Sequence, residues 1–213
     1  MKASAIVHAS PALGAAFTQY SAELESEGAL GDCAFQRFVY VLEGEVNLEF
    51  GNHHHALAKD NYAYLPQDLP HKLTATQSAR LAVIEKNYQP ISGAGPSAAI
   101  VASEPEVAGR PLMGDTDLTV RGLLPDTMYF DFAVNTMTYQ PGAALSMVEV
   151  HVMEHGLLML EGGGIYRLDD AWYPVTAGDF IWMGPYCPQW FGALGKLPAK
   201  YLIYKDWNRH PLG

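Results

Sequence analysis

The chain has 213 residues, 49% of them hydrophobic and 17% charged, with a formal net charge of −10 and a pI near 5.1. That length supports one large or two small domains with proper cores, and the composition excludes a bulk-disordered chain. The acidic balance argues against non-specific binding to nucleic acid or to anionic membranes.

The chain opens MKASAIVHASPALGAAF, one Lys and a short apolar run broken by His8 and Pro11. A secretory segment carries a longer and cleaner apolar run, so a cytoplasmic protein is expected. No stretch approaches the roughly 18 apolar residues of a membrane span. Cys33 and Cys187 are too few for a disulfide framework, lie in no CxxC pair, and read as small core residues. The run FQRFVYVLEGEVNLEF (35–50) sets two apolar stretches around Glu43-Gly44, a hairpin pattern. His53-His54-His55 follows Gly51-Asn52 at a hairpin tip; neighbouring strand residues alternate faces, so the triplet reads as a surface turn rather than a metal site. Residues 90–111, PISGAGPSAAIVASEPEVAGRP, have no helical period and read as a linker. Further on, YFDFAVNTMTYQPG (129–142) alternates apolar and polar residues. LLMLEGGGIYRL repeats the hairpin pattern, and AWYPVTAGDFIWMGP and KYLIYKDW supply more strands. No amphipathic helix longer than about two turns is evident. Many short strands with regular turn signals predict an all-β protein of sandwich or barrel type.

The strands come in two copies. Glu43-Gly44 matches Glu161-Gly162 at an offset of 118 residues, and the same offset places Tyr62-Ala63-Tyr64-Leu65 on Phe180-Ile181-Trp182-Met183 and Leu69-Pro70-His71 on Cys187-Pro188-Gln189. After a one-residue slip, IEKNY around Lys86 matches IYKDW around Lys205. The expected organisation is an N-terminal barrel over 1–89, a linker over 90–111 and a C-terminal barrel over 112–213.

The segment Glu149-Val-His151-Val-Met-Glu-His155 carries the chemistry. On a strand, Glu149 and His151 point to one face, with Val148, Val150 and Val152 on the other. His155 is expected to open the next strand, pairing back alongside, and Gln189 to join from a distant strand. Carboxylate, two imidazoles and an amide oxygen form a mixed N/O set without thiolates. That argues against structural zinc and favours Mn²⁺ or Fe²⁺, with Zn²⁺ or Ni²⁺ as other fits. In the first copy, His155 corresponds to Arg37, His151 to Cys33, and only His71 remains opposite Gln189; that half is expected to hold no metal.

The pattern Gly142…Glu149-x-His151-x₃-His155…Gly162 resembles the first cupin motif, with Glu where its first His is usual and His where its Glu is usual. Gly178…Gln189 resembles the second cupin motif with Gln at its His position. This swapped set, with LLMLEGGGIYRLDDAWYPVTAGDFIWMGPYCPQWF and YLIYKDWNRHPL, is similar to the (S)-ureidoglycine aminohydrolases, some formerly called glyoxylate-induced proteins. The resemblance covers nearly the whole chain and is most specific over 137–212. It implies a bicupin, two tandem double-stranded β-helix (jelly-roll) barrels, with manganese in the C-terminal barrel. It further implies hydrolysis of (S)-ureidoglycine to (S)-ureidoglycolate and ammonia, in recovery of purine nitrogen from allantoin. The chain is expected to lack the family's longer N-terminal segment.

On that reading the partner is a small-molecule substrate, and self-assembly into a homo-oligomer is expected. Glu149 is a candidate proton shuttle besides a metal ligand, and Lys205 a candidate to pair with the substrate carboxylate. Tyr166 and Tyr201 correspond by motif to tyrosines that line the family's pocket. Trp182, Trp190 and Phe191 read as barrel packing. Two other readings remain open: another metal-dependent cupin enzyme (a dioxygenase or isomerase), or a non-catalytic cupin that binds a small acid.

Overall fold

The computed structural model describes residues 2–95 and 97–209; the last residues of the YLIYKDWNRHPL stretch lie outside them. The expected all-β class holds: among the described residues the only helical segments are two 3₁₀ turns, Pro11–Leu13 and Glu104–Glu106. No helix among them is long and apolar enough to cross a membrane. The chain divides into two compact units, Met1–Glu106 and Val107–Gly213.

The first unit contains β1 (Ala3–Ala9), β2 (Thr18–Leu24), β3 (Ala29–Leu30), β4 (Gln36–Glu43), β5 (Glu45–Phe50), β6 (His53–Ala58), β7 (Asn61–Leu65), β8 (His71–Ala75), β9 (Ala79–Lys86) and β10 (Ile100–Ser103). They form one sheet in the order β1-β2-β9-β4-β7-β10 and a second in the order β3-β8-β5-β6. The second unit contains β11 (Arg110–Leu112), β12 (Asp115–Gly122), β13 (Phe132–Tyr139), β14 (His155–Glu161), β15 (Gly163–Leu168), β16 (Ala171–Thr176), β17 (Phe180–Met183), β18 (Gln189–Ala193) and β19 (Ala199–Asp206). Its sheets run β11-β12-β13-β19-β14-β17 and β16-β15-β18. The order β1-β2-β9-β4-β7 is that of β12-β13-β19-β14-β17, so the sequence repeat is a repeat of topology. One strand, β10, falls within the stretch expected as a linker and a second, β11, begins in it; each lies on the edge of a six-stranded sheet, β10 against β7 and β11 against β12.

Side-chain alternation sets the faces. Along β5, Val46 and Leu48 are fully buried while Asn47 and Glu49 are exposed. The two expected Glu-Gly hairpins are corrected: β4 pairs with β7 and β9, and β5 with β6 and β8, so the chain changes sheet at Gly44. The same happens at Gly162 between β14 and β15. Both glycines have positive φ, +75° and +65°. A Cβ on Gly44 would strike the Ser78 carbonyl oxygen, and one on Gly162 that of Pro198. Glycine is needed there because the chain turns a corner against another backbone.

The barrel interiors differ in chemistry. The first packs aliphatic side chains, among them Leu24, Leu48 and Leu81. By strand register these positions are occupied in the second barrel by Tyr139, Tyr166 and Tyr201. Three phenols therefore bring polar groups to positions that the first barrel keeps apolar.

Candidate active site

Between β13 and β14 the chain runs irregularly, and this loop carries Glu149 and His151. The expectation of a strand here is corrected. Glu149 is held by a single antiparallel bridge to Gln189, made by two backbone hydrogen bonds of 2.8 Å, and the Tyr186 N–H donates to the His151 carbonyl at 2.7 Å. The neighbour of Glu149 is thus the start of β18, and β14 pairs instead with β17 and β19. The alternation of faces survives: Val148 and Val150 are exposed, while Glu149 and His151 turn inward to line a cavity.

That cavity, about 540 Å³, is lined by Glu149, His151, His155, Gln189, Tyr166, Tyr201 and Lys205, so all seven sequence-designated residues meet in one place. His155 opens β14 as expected, and its ring centroid lies 5.0 Å from that of His151. His151 Nε2 is 3.1 Å from Glu149 Oε2. The Tyr166 hydroxyl donates to Gln189 Oε1 at 3.0 Å. Tyr201 and Tyr139 share a hydroxyl–hydroxyl hydrogen bond of 2.7 Å. Burial pushes the pKa of each of these three phenols upward, so they stay protonated and serve as donors.

Burial lowers the His155 pKa to about 4, which keeps the ring neutral at ordinary pH, the form that binds metals. Its Nδ1 is buried without a hydrogen-bond partner. Lys205 faces His155 across β19 and β14, and its Nζ sits 4.2 Å above the Trp207 ring. Trp207 Nε1 in turn donates to Asp126 Oδ1 at 2.6 Å. Burial, and then the charge of Arg110, bring the Lys205 pKa below the usual lysine value.

The donor types fit a divalent ion. A neutral imidazole with an unsatisfied buried nitrogen, a second imidazole, a carboxylate and an amide oxygen oriented by Tyr166 all face the cavity. They are not preassembled: among the described residues no group of three or more His, Cys, Asp or Glu side chains forms a ready metal cluster. Glu149 and His151 are closed on each other by their hydrogen bond, with 20% and 35% of their side chains exposed.

The matching place in the first barrel is filled. Arg37 stands on β4 where His155 stands on β14, and its cross-strand neighbour is Glu85, as that of His155 is Lys205. The counterpart of Lys205 is therefore Glu85, which corrects the pairing with Lys86. The Arg37 guanidinium donates to Glu85 at 2.8 Å and to the Gly31 carbonyl at 2.6 Å, and lies 2.7 Å from His71 Nε2. Tyr20 adds a hydrogen bond of 2.9 Å to the same carboxylate. A fixed organic cation thus occupies the place where the second barrel gathers metal-type donors.

Other expectations divide. Phe191 is fully buried and Trp190, half-buried, packs against the same core while donating to the Leu145 carbonyl; Trp182 is half-buried and anchors a loop by donating to Glu154. Cys33 and Cys187 are partly exposed free thiols rather than core residues, because both lie in loops. His53 and His55 share one face of β6 and stack with Phe50, while His54 turns to Glu49. Sequence reasoning missed Tyr139, Trp207 and Arg110. Trp207, two residues after Lys205 on the same chain segment, was the most accessible of these.

Residues 135–204 match the cupin-domain family model. The chain is 43% identical to a probable (S)-ureidoglycine aminohydrolase of Oryza sativa over 95% of its own length and 66% of that protein. It therefore spans just under two thirds of that relative. It is 43% identical to the (S)-ureidoglycine aminohydrolase of Arabidopsis thaliana over 95% of this chain and 68% of that protein. The Escherichia coli enzyme of the same name is 30% identical over 96% of this chain and 81% of that one. Among solved structures, a glyoxylate-induced protein of Pseudomonas aeruginosa superposes with a TM-score of 0.90 at 34% identity, covering 99% of this chain and 82% of that one. An oxalate decarboxylase of Bacillus subtilis, at 12% identity and a TM-score of 0.73 over 97% of this chain and 73% of that one, shares the fold alone. With two jelly-roll barrels, and with this identity over most of the Arabidopsis and Escherichia coli proteins, the chain is a bicupin that belongs to the (S)-ureidoglycine aminohydrolase family.

Proposed function

We propose that the chain hydrolyses (S)-ureidoglycine to (S)-ureidoglycolate and ammonia at the cavity of its second barrel. The observation that carries this reading is the gathering of Glu149, His151, His155, Gln189 and Lys205 around one cavity in a chain 43% identical to proteins bearing that activity's name. Glu149, His151, His155 and Gln189 are the residues that would hold a divalent ion, with Mn²⁺ favoured by the mixture of hard oxygen donors and imidazoles. When bound, such an ion supplies Lewis acidity and lowers the pKa of water.

The chain's own groups do the rest. Lys205, kept in place by the Trp207 ring, pairs with the substrate carboxylate. The ureido nitrogen pushes its lone pair toward the α-carbon as the C–N bond to the amine breaks. The leaving amine takes a proton, and water adds its oxygen to the same carbon and gives up a proton. Glu149, which already exchanges a hydrogen bond with His151, is placed to carry that proton from water to amine. With Tyr139 donating to Tyr201 in their shared hydrogen bond, the protonated Tyr201 hydroxyl, which lines the cavity, donates to a ureido carbonyl or carboxylate oxygen.

The test is ammonia release from freshly generated (S)-ureidoglycine by chelated protein, with and without added Mn²⁺. Metal-dependent release of one ammonia per ureidoglycolate is expected. Oxygen uptake on a substrate panel without ammonia release would favour an oxygenase instead. Thermal stabilisation by small acids without any product would favour a binding protein.

A further inference from the structure

The cavity holds a second cation that the reaction scheme above does not use. Arg110 lies on β11, the edge strand of the second unit's larger sheet, in the stretch that reads from sequence as a linker. Its cross-strand row runs Arg110, Val120, Met137, Tyr201, Met159. Residues directly opposite one another on antiparallel strands project to the same face. The other four members of this row belong to, or pack against, the barrel core, so the row faces the interior, and Arg110, itself exposed, extends from the same face at the rim. It lines the same cavity as Lys205 and Glu149.

The charge balance in that cavity is unlike that of the whole chain. The formal net charge is −10, yet among the described residues the only carboxylate on the cavity wall is Glu149, already paired with His151 at 3.1 Å. Lys205 sits on Trp207, whose tether to Asp126 restrains the shelf. The Arg110 side chain makes no hydrogen bond or ion pair among the described residues. Two cations without carboxylate partners therefore look into one cavity, flanked by the apolar side chains of Pro111, Leu112 and Met113. A guanidinium left unpaired at an apolar rim suits a planar carboxylate, which it can grip through two N–H groups. An acidic molecule also needs such a local positive field to admit an anion.

We propose that Arg110 is a substrate-binding residue whose guanidinium, together with the Lys205 ammonium, forms a two-cation receptor for the carboxylate of a small ureido acid. This rests on the aminohydrolase reading for the identity of the ligand, and it makes the β11 edge part of the site. Arg110 then sets selectivity for acid over amide, while Lys205 stays close to the reacting carbon.

Binding of ureidoacetate (which carries the carboxylate and ureido group but no leaving amine) and of its uncharged amide tests this by calorimetry on Mn²⁺-loaded protein. The full chain is compared as wild type, Arg110→Gln and Arg110→Lys. The wild type is expected to prefer the acid on the order of tenfold or more, as charge-assisted pairing requires. Arg110→Gln should remove most of that preference while leaving amide binding unchanged, and Arg110→Lys should restore part of it. With ureidoglycine as substrate, KM should rise by more than kcat falls. Undiminished preference for the acid in Arg110→Gln, or no preference in the wild type, would overturn the proposal. Preference intact but no ammonia released would sink the aminohydrolase reading and leave the receptor standing.

Discussion

His151 and Gln189 reach the cavity by different means, and their loss should differ accordingly. His151 offers an imidazole nitrogen on an irregular loop, and His155, the other imidazole on the cavity wall, already belongs to the same donor set. His151→Ala is expected to weaken Mn²⁺ binding by at least ~100-fold, read as metal content by elemental analysis after dialysis; full occupancy would remove it from the ligand set. Gln189 contributes a neutral amide oxygen, the poorest donor of the four, already accepting from Tyr166. Gln189→Leu should cost only about tenfold in the same assay. Lys205 is a different case, since its Nζ contacts an aromatic ring and no carboxylate. Lys205→Met is predicted to lower kcat/KM by about a hundredfold with metal content unchanged, and unaltered kinetics would reject its contact with substrate.

At the scale of the elements, the site depends on corners and bridges more than on strands. Gly162 turns the chain from one sheet to the other at φ +65° against the Pro198 carbonyl. Gly162→Ala is predicted to lower stability by about 1–3 kcal/mol, visible as a lower urea midpoint; an unchanged midpoint would show that the corner can relax. This corner also explains which part of the fold was legible. An apolar run, Glu-Gly and a second apolar run look like a hairpin because the local pattern is the same. Only the partners of each strand, far away in sequence, reveal a change of sheet. The strand character of 129–142 was readable from its alternation alone. The strand status of Glu149 was not, because alternation persists in a loop pinned by one bridge. The mismatch between Lys86 and Lys205 has an equally specific cause. Three residues, 76–78, separate β8 from β9, but five, 194–198, separate β18 from β19. The true shift is therefore one residue more than the identities suggest, and one residue moves a side chain to the opposite face. The four metal-type residues were legible because their spacing is local and chemical. Arg110 was hidden because its stretch has the composition of a linker.

Across the whole molecule, duplication has left one buried imidazole in each barrel among the described residues, and the two are kept neutral differently. In the first barrel, burial and then the Arg37 charge lower the His71 pKa; its Nδ1 lies 2.7 Å from the Leu69 carbonyl and its Nε2 faces the guanidinium. In the second, burial brings His155 to about 4. Both pKa values lie below the unfolded histidine value of about 6.5. Between the folded and unfolded values the unfolded chain binds more protons than the folded one, so stability must rise with pH across that interval. The contribution is fully present above pH ~6.5 and is lost progressively as pH falls toward 4. For His155 the displacement corresponds to about 3 kcal/mol. Metal-free protein, prepared with chelator, is therefore predicted to show a falling urea midpoint from pH 7 to pH 5, where most carboxylates are still ionised. Mn²⁺ should oppose that fall at pH 7 more than at pH 5, because protons and metal compete for the same imidazoles. A midpoint that stays constant over this range in metal-free protein would mean that neither ring is as sequestered as its packing indicates. A fall that persists undiminished in His155→Gln would place the sensitivity in the first barrel, at His71 against Arg37.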